Sequence, residues 1–212
     1  GKVLKESLGE VDTVIQHGKY MQGESKKLYG EIIPSSFPDR TIQMVREPLG
    51  VVACITPWNF PVVLAGYKIF SALITGNTVI WKPASEVALS AKIFTEIIES
   101  SGIPKGAFNL VTGSGRIVGN KLADHQDVKV ISFTGSTEVG QKIAEIGSRS
   151  LKRVSLELGG KNAVIVLKDA NIEDAASGIV QSAFTTTGQR CTAASRVIVE
   201  RPVKEALVSS IV

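Results

Sequence analysis

Cysteine and histidine are scarce in this chain. Its 212 residues hold two cysteines, Cys54 and Cys191, and two histidines, His17 and His125. Two distant cysteines make neither a disulfide framework nor a zinc knuckle, and two lone histidines lack metal-ligand spacing. No metal site is expected, and a reducing, cytoplasmic setting fits. Charge runs are also missing. Lys and Arg number 24 against 20 Asp and Glu, for a net charge of +4. The only adjacent basic pairs are Lys26-Lys27 and Lys152-Arg153, and no basic stretch is interleaved with aromatics. Nucleic acid is therefore not expected as a partner. No signal-peptide pattern opens the chain, which begins Gly1-Lys2-Val3 without a Met and ends in an apolar pattern at Ile211-Val212. It reads as a fragment of a longer protein. The 19 residues from Leu49 to Tyr67 carry no charge, but Pro57, Asn59 and Pro61 would break a helix there and leave polar groups unpaired in lipid. No membrane span is expected.

What is present is ordinary for a folded globular protein: 43% hydrophobic and 21% charged residues. At about 150 residues per domain, the length allows one domain and part of another. The pattern begins with a polar-rich helix over 11–29. Glu31 to Arg40 then reads as an extended arm or hairpin, broken by Pro34 and Pro38, with a strand at Thr41–Val45. A regular alternation follows. Apolar strands are predicted at 51–55, 78–81, 108–111 and 128–133, and helices at 62–73, 87–101, 116–123 and 137–146. Leu89, Ile93, Ile97 and Ile98 form the expected apolar stripe of the second of these helices. Two more strands are predicted at 153–158 and 163–167. This is an α/β pattern: an open, Rossmann-like parallel sheet with helices on both faces. Such sheets bind ligands at the carboxyl ends of their strands. The first four strands are each followed there by a turn of suggestive composition, and one crevice collecting all four points to a nucleotide.

Several residues in those turns carry chemistry. Gly113-Ser114-Gly115-Arg116-Ile117-Val118-Gly119 lies between a strand and a helix, with its glycines one residue more widely spaced than the usual dinucleotide fingerprint. It reads either as a phosphate loop or as a tight turn. In Phe133-Thr134-Gly135-Ser136-Thr137-Glu138-Val139-Gly140, Ser136 or Thr137 caps the next helix, whose free N–H groups suit a phosphate or need only the cap. Lys82 sits just after a strand, either as a ribose or phosphate ligand or as a solvated lysine. Ser85 is a candidate helix cap. Alternation puts Arg153, Ser155 and Glu157 on one face, and Gly159-Gly160 follows, so Glu157 is a candidate general base or a salt-bridged edge glutamate. Cys191, in Gly188-Gln189-Arg190-Cys191-Thr192, reads either as a reactive thiol whose thiolate the neighbouring cation favours or as a buried inert thiol, whereas Cys54 among Val51, Val52, Ala53 and Ile55 reads as a small buried hydrophobe.

Taken together, Pro57-Trp58-Asn59-Phe60-Pro61, Thr75-Gly76-Asn77-Thr78-Val79, Lys82-Pro83-Ala84, the Phe133–Gly140 run, Leu156-Glu157-Leu158-Gly159-Gly160-Lys161 and Gly188-Gln189-Arg190-Cys191 resemble the NAD(P)-dependent aldehyde dehydrogenase superfamily. The resemblance covers essentially the whole chain. It implies oxidation of a small-molecule aldehyde to a carboxylic acid with NAD or NADP, through a cysteine thiohemiacetal and thioester. It makes Cys191 the nucleophile, Asn59 the oxyanion amide, Glu157 the base for thioester hydrolysis, and Lys68 a lysine near the active site. Ile55, Thr56, Pro57, Trp58, Lys82, Gly115, Gly119, Phe133, Gly135 and Ser136 would line the cofactor, with Leu158 and Gly159 beside the nicotinamide. Ser85 stands where many NAD-preferring members carry a glutamate, so NADP or dual use is implied. Arg190 beside the nucleophile favours an acidic substrate such as a semialdehyde. Residues 1–29 and 49–158 would form the cofactor domain, 30–48 an oligomerisation arm, and 159–212 the start of the catalytic domain. The full-length protein would be a homodimer or homotetramer. A later nicotinamide-ribose motif and the C-terminal pairing strands of the family are absent from this chain. The alternatives are a CoA-acylating relative, which would not need Glu157, and a non-catalytic nucleotide-binding or assembly fragment.

Overall fold

A computed structural model describes residues 2–212. The chain divides into two compact units. One is Leu8–Glu157; the other joins Gly1–Ser7 to Leu158–Val212.

The first helix, α1 (Leu4–Ser25), begins and ends earlier than the sequence pattern predicts. Its apolar residues make no continuous stripe, and only Glu10 and Val14 are buried, so periodicity does not mark its ends. Strands β1 (Glu31–Ile33) and β2 (Ile42–Met44) pair antiparallel, Ile32 opposite Gln43, as a hairpin exposed along its whole length.

A five-stranded sheet follows. Strand β3 (Val51–Ile55) leads to helix α2 (Val63–Ile74), β4 (Thr78–Lys82) to α3 (Ala88–Ser100), and β5 (Phe108–Leu110) to one wide π-helical turn at Gly115–Gly119 and the short α4 (Asn120–Asp124). Strand β6 (Val128–Gly135), two residues longer than predicted, leads to α5 (Thr137–Ser148), and β7 (Arg153–Leu158) closes the sheet. The strand order is β5-β4-β3-β6-β7. Strands β3, β4, β5 and β6 run parallel, with Ile55 opposite both Lys82 and Phe133. The chain steps outward from β3 to β5, then returns to the other side of β3. That reversal opens a crevice at the carboxyl ends of β3 and β6.

Side chains alternate across the pleat, so both sheet faces are packed. Val52, Cys54, Val79 and Trp81 pack with Ile69 of α2 and Phe94 of α3. Ala53 and Ile131 are equally buried, as are Leu122 of α4 and Ile143 of α5. The predicted stripe on α3 is corrected. Leu89, Ile93 and Ile97 are 72%, 51% and 59% exposed, while Ala91, Phe94, Thr95 and Ile98 face inward. The Phe94 ring meets Trp81 edge-on at 5.9 Å, and small Ala91 lets the helix approach the sheet. The uncharged Leu49–Tyr67 segment is thus β3, a turn and the start of α2. Among the described residues no helix is long and apolar enough to cross a membrane.

In the second unit, β8 (Asn162–Val166) and β9 (Ala194–Val199) pair in parallel. Helices α6 (Ile172–Phe184) and α7 (Lys204–Ile211) pack on them around Val166, Ala176, Ile179 and Leu207.

Candidate active site and nucleotide cavity

Within the Leu8–Glu157 unit, the carboxyl ends of β3, β4 and β6 open into one cavity of about 450 Å³. Ile55, Thr56, Pro57, Trp58, Lys82, Ser85, Gly115, Gly119, Phe133, Gly135 and Ser136 all line it. Leu158 and Gly159 do not; they belong to the other unit.

Local hydrogen bonds fix the rim. The Thr56 N–H donates to the Lys82 carbonyl at 3.1 Å, and the Trp81 indole N–H donates to Thr56 Oγ1 at 2.9 Å, tying the ends of β3 and β4 together. Lys82 is 4% exposed, and its Nζ donates to the Pro83 carbonyl at 2.8 Å. Burial lowers its pKa from the ordinary lysine value, and the nearby Glu86 carboxylate opposes that shift. Ser136 caps α5, its Oγ accepting from the Val139 N–H at 3.3 Å. The N-terminus of α5, with its unpaired N–H groups and positive dipole end, therefore faces the cavity. Gly135 is required where it stands, because a Cβ there would lie 2.4 Å from the Phe133 ring. Ser85 is not a helix cap. It starts a tight turn over Ser85–Val87, and its Oγ donates to the Gly113 carbonyl at 3.4 Å.

The sequence reading missed one lining group with a clear signature. The Thr134 hydroxyl is buried on the cavity wall with no hydrogen-bond partner among the described residues. A buried orphan hydroxyl is rare, and at the edge of a cavity it points to a ligand that satisfies it. A nucleotide suits these residues: an ammonium, a helix N-terminus, an unpartnered hydroxyl and small residues that leave room. Thr134 lies inside the Phe133–Gly140 run, so the motif contained it, but nothing about a threonine in sequence marks it as unpartnered.

The same unit carries three of the four candidate catalytic residues. Asn59 is half-buried, and its Oδ1 accepts from the Phe60 N–H at 3.1 Å. Helix α2 starts just beyond it without a cap of its own. Glu10 of α1 supplies the cap, its Oε1 accepting from the Val62 and Val63 N–H groups at 2.7 and 3.0 Å. Lys68 on α2 donates from Nζ to Ser132 Oγ on β6 at 3.1 Å. Burial lowers the Lys68 pKa, against the opposing pull of Cys54 and Glu157. Along β7 the alternation is as read: Arg153, Ser155 and Glu157 are exposed, and Val154, Leu156 and Leu158 half-buried. Glu157 enters no ion pair among the described residues.

Cys191 belongs to the other unit and is exposed. Its carbonyl accepts from Asn162 Nδ2 at 2.7 Å, which ties it to the start of β8. The turn before it is strained. Thr186, Thr187 and Gly188 have φ of 54°, 55° and 71°, and a left-handed backbone is uncommon for β-branched residues. The Thr186 N–H donates to Glu6 Oε1 at 2.9 Å, and Arg190 Nη1 donates to Thr185 Oγ1 at 2.7 Å. Cys54 is the opposite case: fully buried in β3, with its thiol pKa pushed up to about 12 by burial, against the Lys68 charge.

Comparison with known proteins bears on both units. The profile of the aldehyde dehydrogenase family matches residues 1–212. Alpha-ketoglutaric semialdehyde dehydrogenase of Bacillus subtilis is 44% identical over 97% of this chain and 42% of that protein. The NADP(+) succinate-semialdehyde dehydrogenase GabD of Escherichia coli is 40% identical over 94% of the chain and 42% of its own length. The structure of betaine aldehyde dehydrogenase from Staphylococcus aureus in complex with NAD+ superposes with a TM-score of 0.97 at 37% identity, covering 100% of this chain and 42% of that one. The chain thus spans well under half the length of these relatives.

Proposed function

The chain belongs to the aldehyde dehydrogenase family, and from that premise we propose that the intact protein oxidises an aldehyde to a carboxylic acid with NAD or NADP through a thioester on Cys191. The observation that carries the reading is the cavity at the sheet reversal, where eleven residues expected to hold a dinucleotide meet an orphan threonine hydroxyl. Ser136 and the α5 N-terminus would hold the pyrophosphate, Lys82 the adenine ribose, and Thr134 would find its partner on the bound molecule. When bound, the nicotinamide supplies the hydride acceptor.

The chain's own residues do the rest. The Cys191 thiolate adds to the aldehyde carbon. Negative charge gathers on the oxygen, and the Asn59 amide, acting with the Cys191 N–H, offsets it. Loss of hydride leaves a thioester. Glu157 takes a proton from water, the hydroxyl attacks the thioester carbon, and the thiolate leaves as the acid departs. A base at the end of β7 favours hydrolysis over transfer to CoA. Lys68, half-buried with a lowered pKa, is a positive group whose charge helps set the local field around Glu157. Ser85, which carries no charge, admits a 2′-phosphate, so Ser85→Glu is expected to lower NADP use relative to NAD. The apolar side chains exposed on the β1–β2 hairpin, Ile32 and Met44 among them, suit an arm that pairs with a second subunit. Two free cysteines suit a reducing compartment such as the cytoplasm.

The relatives do not choose the aldehyde. Two are named for aldehydes bearing a carboxylate and one for betaine aldehyde. The test is an aldehyde panel on the intact protein with NAD and with NADP, beside Cys191→Ala. Cofactor reduction that vanishes in the variant is expected. Activity that survives loss of Cys191 refutes the mechanism. Tight cofactor binding with no turnover of any aldehyde favours a non-catalytic nucleotide-binding role.

A further inference from the structure

We infer that Glu6 is a positioning residue: from the first turn of α1 it clamps the strained turn that presents Cys191, so that its loss slows the chemical step without weakening substrate binding. The inference rests on the aldehyde-oxidising reading, and its test separates the two.

The backbone between α6 and Cys191 is costly to hold. Thr186, at φ 54° and ψ 35°, Thr187, at 55° and 29°, and Gly188, at φ 71°, are left-handed in succession. L-residues visit this region singly, and a β-branched residue does so least readily. Gly188 is fixed in place as well, because a Cβ there would lie 2.9 Å from the Ala183 carbonyl oxygen. Such a backbone persists only where its surroundings enforce it, and it gathers where a side chain must be held in one direction. Gln189, Arg190 and then Cys191 follow directly.

Three bonds within the segment give the turn its shape. Thr185 Oγ1 donates to the Gln181 carbonyl at 2.6 Å, the Gln189 N–H to the Thr186 carbonyl at 3.0 Å, and Arg190 Nη1 to Thr185 Oγ1 at 2.7 Å. Local bonds of this kind do not say where the turn stands. Glu6 does. It is half-buried, it belongs to the same unit as Cys191, and its Oε1 accepts from the Thr186 N–H at 2.9 Å across 180 positions of sequence. A carboxylate accepting from a backbone N–H makes a charge-assisted bond, stronger than a neutral one. Downstream, Asn162 Nδ2 donates to the Cys191 carbonyl at 2.7 Å. The cysteine is therefore pinned from both directions, by Asn162 at its own carbonyl and by Glu6 through the turn. Cys191 is proposed to supply both the attacking sulfur and an N–H for the oxyanion, so a shift of the turn displaces two reacting groups together.

In the intact protein, kcat and KM are measured with succinic semialdehyde and with betaine aldehyde, each with NAD and with NADP, well below the melting temperature so that the folded fraction is constant. Glu6→Ala is expected to lower kcat roughly 10- to 100-fold with KM within about twofold, the cost of a nucleophile misplaced by a fraction of its own size. Glu6→Gln keeps an acceptor oxygen and should stay within about threefold of wild type. Lys5→Ala, exposed on the same helix, should leave kcat unchanged. A suppressor tests the clamp directly. Asparagine takes the left-handed backbone readily, so the double variant Glu6→Ala/Thr186→Asn should regain most of the lost kcat. Hydrogen–deuterium exchange needs no turnover: it should rise over residues 185–191 in Glu6→Ala and return in Glu6→Gln. Unchanged kcat in Glu6→Ala, a loss through KM, a Gln variant as slow as the Ala variant, or a suppressor that restores nothing each overturns the inference and leaves aldehyde oxidation standing. Wild type that reduces neither cofactor with any aldehyde overturns the aldehyde reading. Unchanged exchange in Glu6→Ala then overturns the clamp as well, whereas raised exchange upholds it.

Discussion

Glu10→Ala should destabilise the Leu8–Glu157 unit far more than a glutamate on a polar helix normally would. The Glu10 side chain is 6% exposed, and its Oε1 accepts from the Val62 and Val63 N–H groups at 2.7 and 3.0 Å. Losing a helix cap costs about 1 kcal/mol. Val63 is buried, so its N–H is also left without water, which adds about 2 kcal/mol. The sum is about 3 kcal/mol. At roughly 2–4 °C per kcal/mol for a chain of this size, the melting temperature should fall by about 6–12 °C. Glu10→Gln keeps an acceptor oxygen and loses only the charge facing the helix dipole, about 1 kcal/mol or about 2–4 °C. Asp12→Asn, on an exposed position of the same helix, should stay within about 0.5 kcal/mol. Scanning calorimetry of the four proteins decides the matter. A Glu10→Ala shift below about 1 °C, or one equal to that of Glu10→Gln, refutes the capping argument.

Native protein at pH 8 should show one reactive thiol to iodoacetamide, Cys191, and two after unfolding, because burial pushes the Cys54 pKa up to about 12. The folded chain then keeps the Cys54 proton between the ordinary value of 9.0 and about 12 while the unfolded chain releases it. The contribution is complete below 9.0 and is lost as pH rises through that window, and Cys54→Ala should flatten the alkaline fall seen in urea midpoints; an unchanged slope refutes it. Thr186→Asn should raise stability by about 1 kcal/mol by easing a left-handed backbone, read from the urea midpoint, and a lower midpoint would show that the threonine is not strained. Lys82→Met should weaken NAD or NADP binding about tenfold by titration calorimetry with little change in melting temperature; unchanged affinity would remove Lys82 from the cofactor site.

The sheet was legible because its strands are short apolar or alternating runs between turn residues, and that signal is local. Helix α3 shows where local reading fails. Leu89, Ile93 and Ile97 are spaced like a core stripe, but the face carrying Phe94 and Ala91 packs against Trp81 instead, a choice made by the shape of the sheet. The cavity residues were legible as turns after strands, since the carboxyl ends of β3, β4 and β6 converge by topology. Glu10 was not, because its partners lie some fifty residues further along the chain and a glutamate in a polar helix looks solvated. The left-handed turn at Thr186 and Thr187 was hidden for the opposite reason: threonine normally argues against that backbone.

The strand order has a consequence for how the protein comes into being. Val52 pairs with Val79 early in the chain, but its other neighbour, Val130, lies far downstream. The cavity draws on residues from Ile55 to Ile143. During synthesis, a nascent chain stalled before β6 has emerged holds β3 with one edge bare and lacks the β6 wall of the cavity. Closing that distant parallel pair is the slow kind of step, since loop closure precedes any contact that rewards it. The complete cavity therefore arrives last and all at once. A nucleotide analogue added to refolding protein would report completed sheets and ignore every partial one.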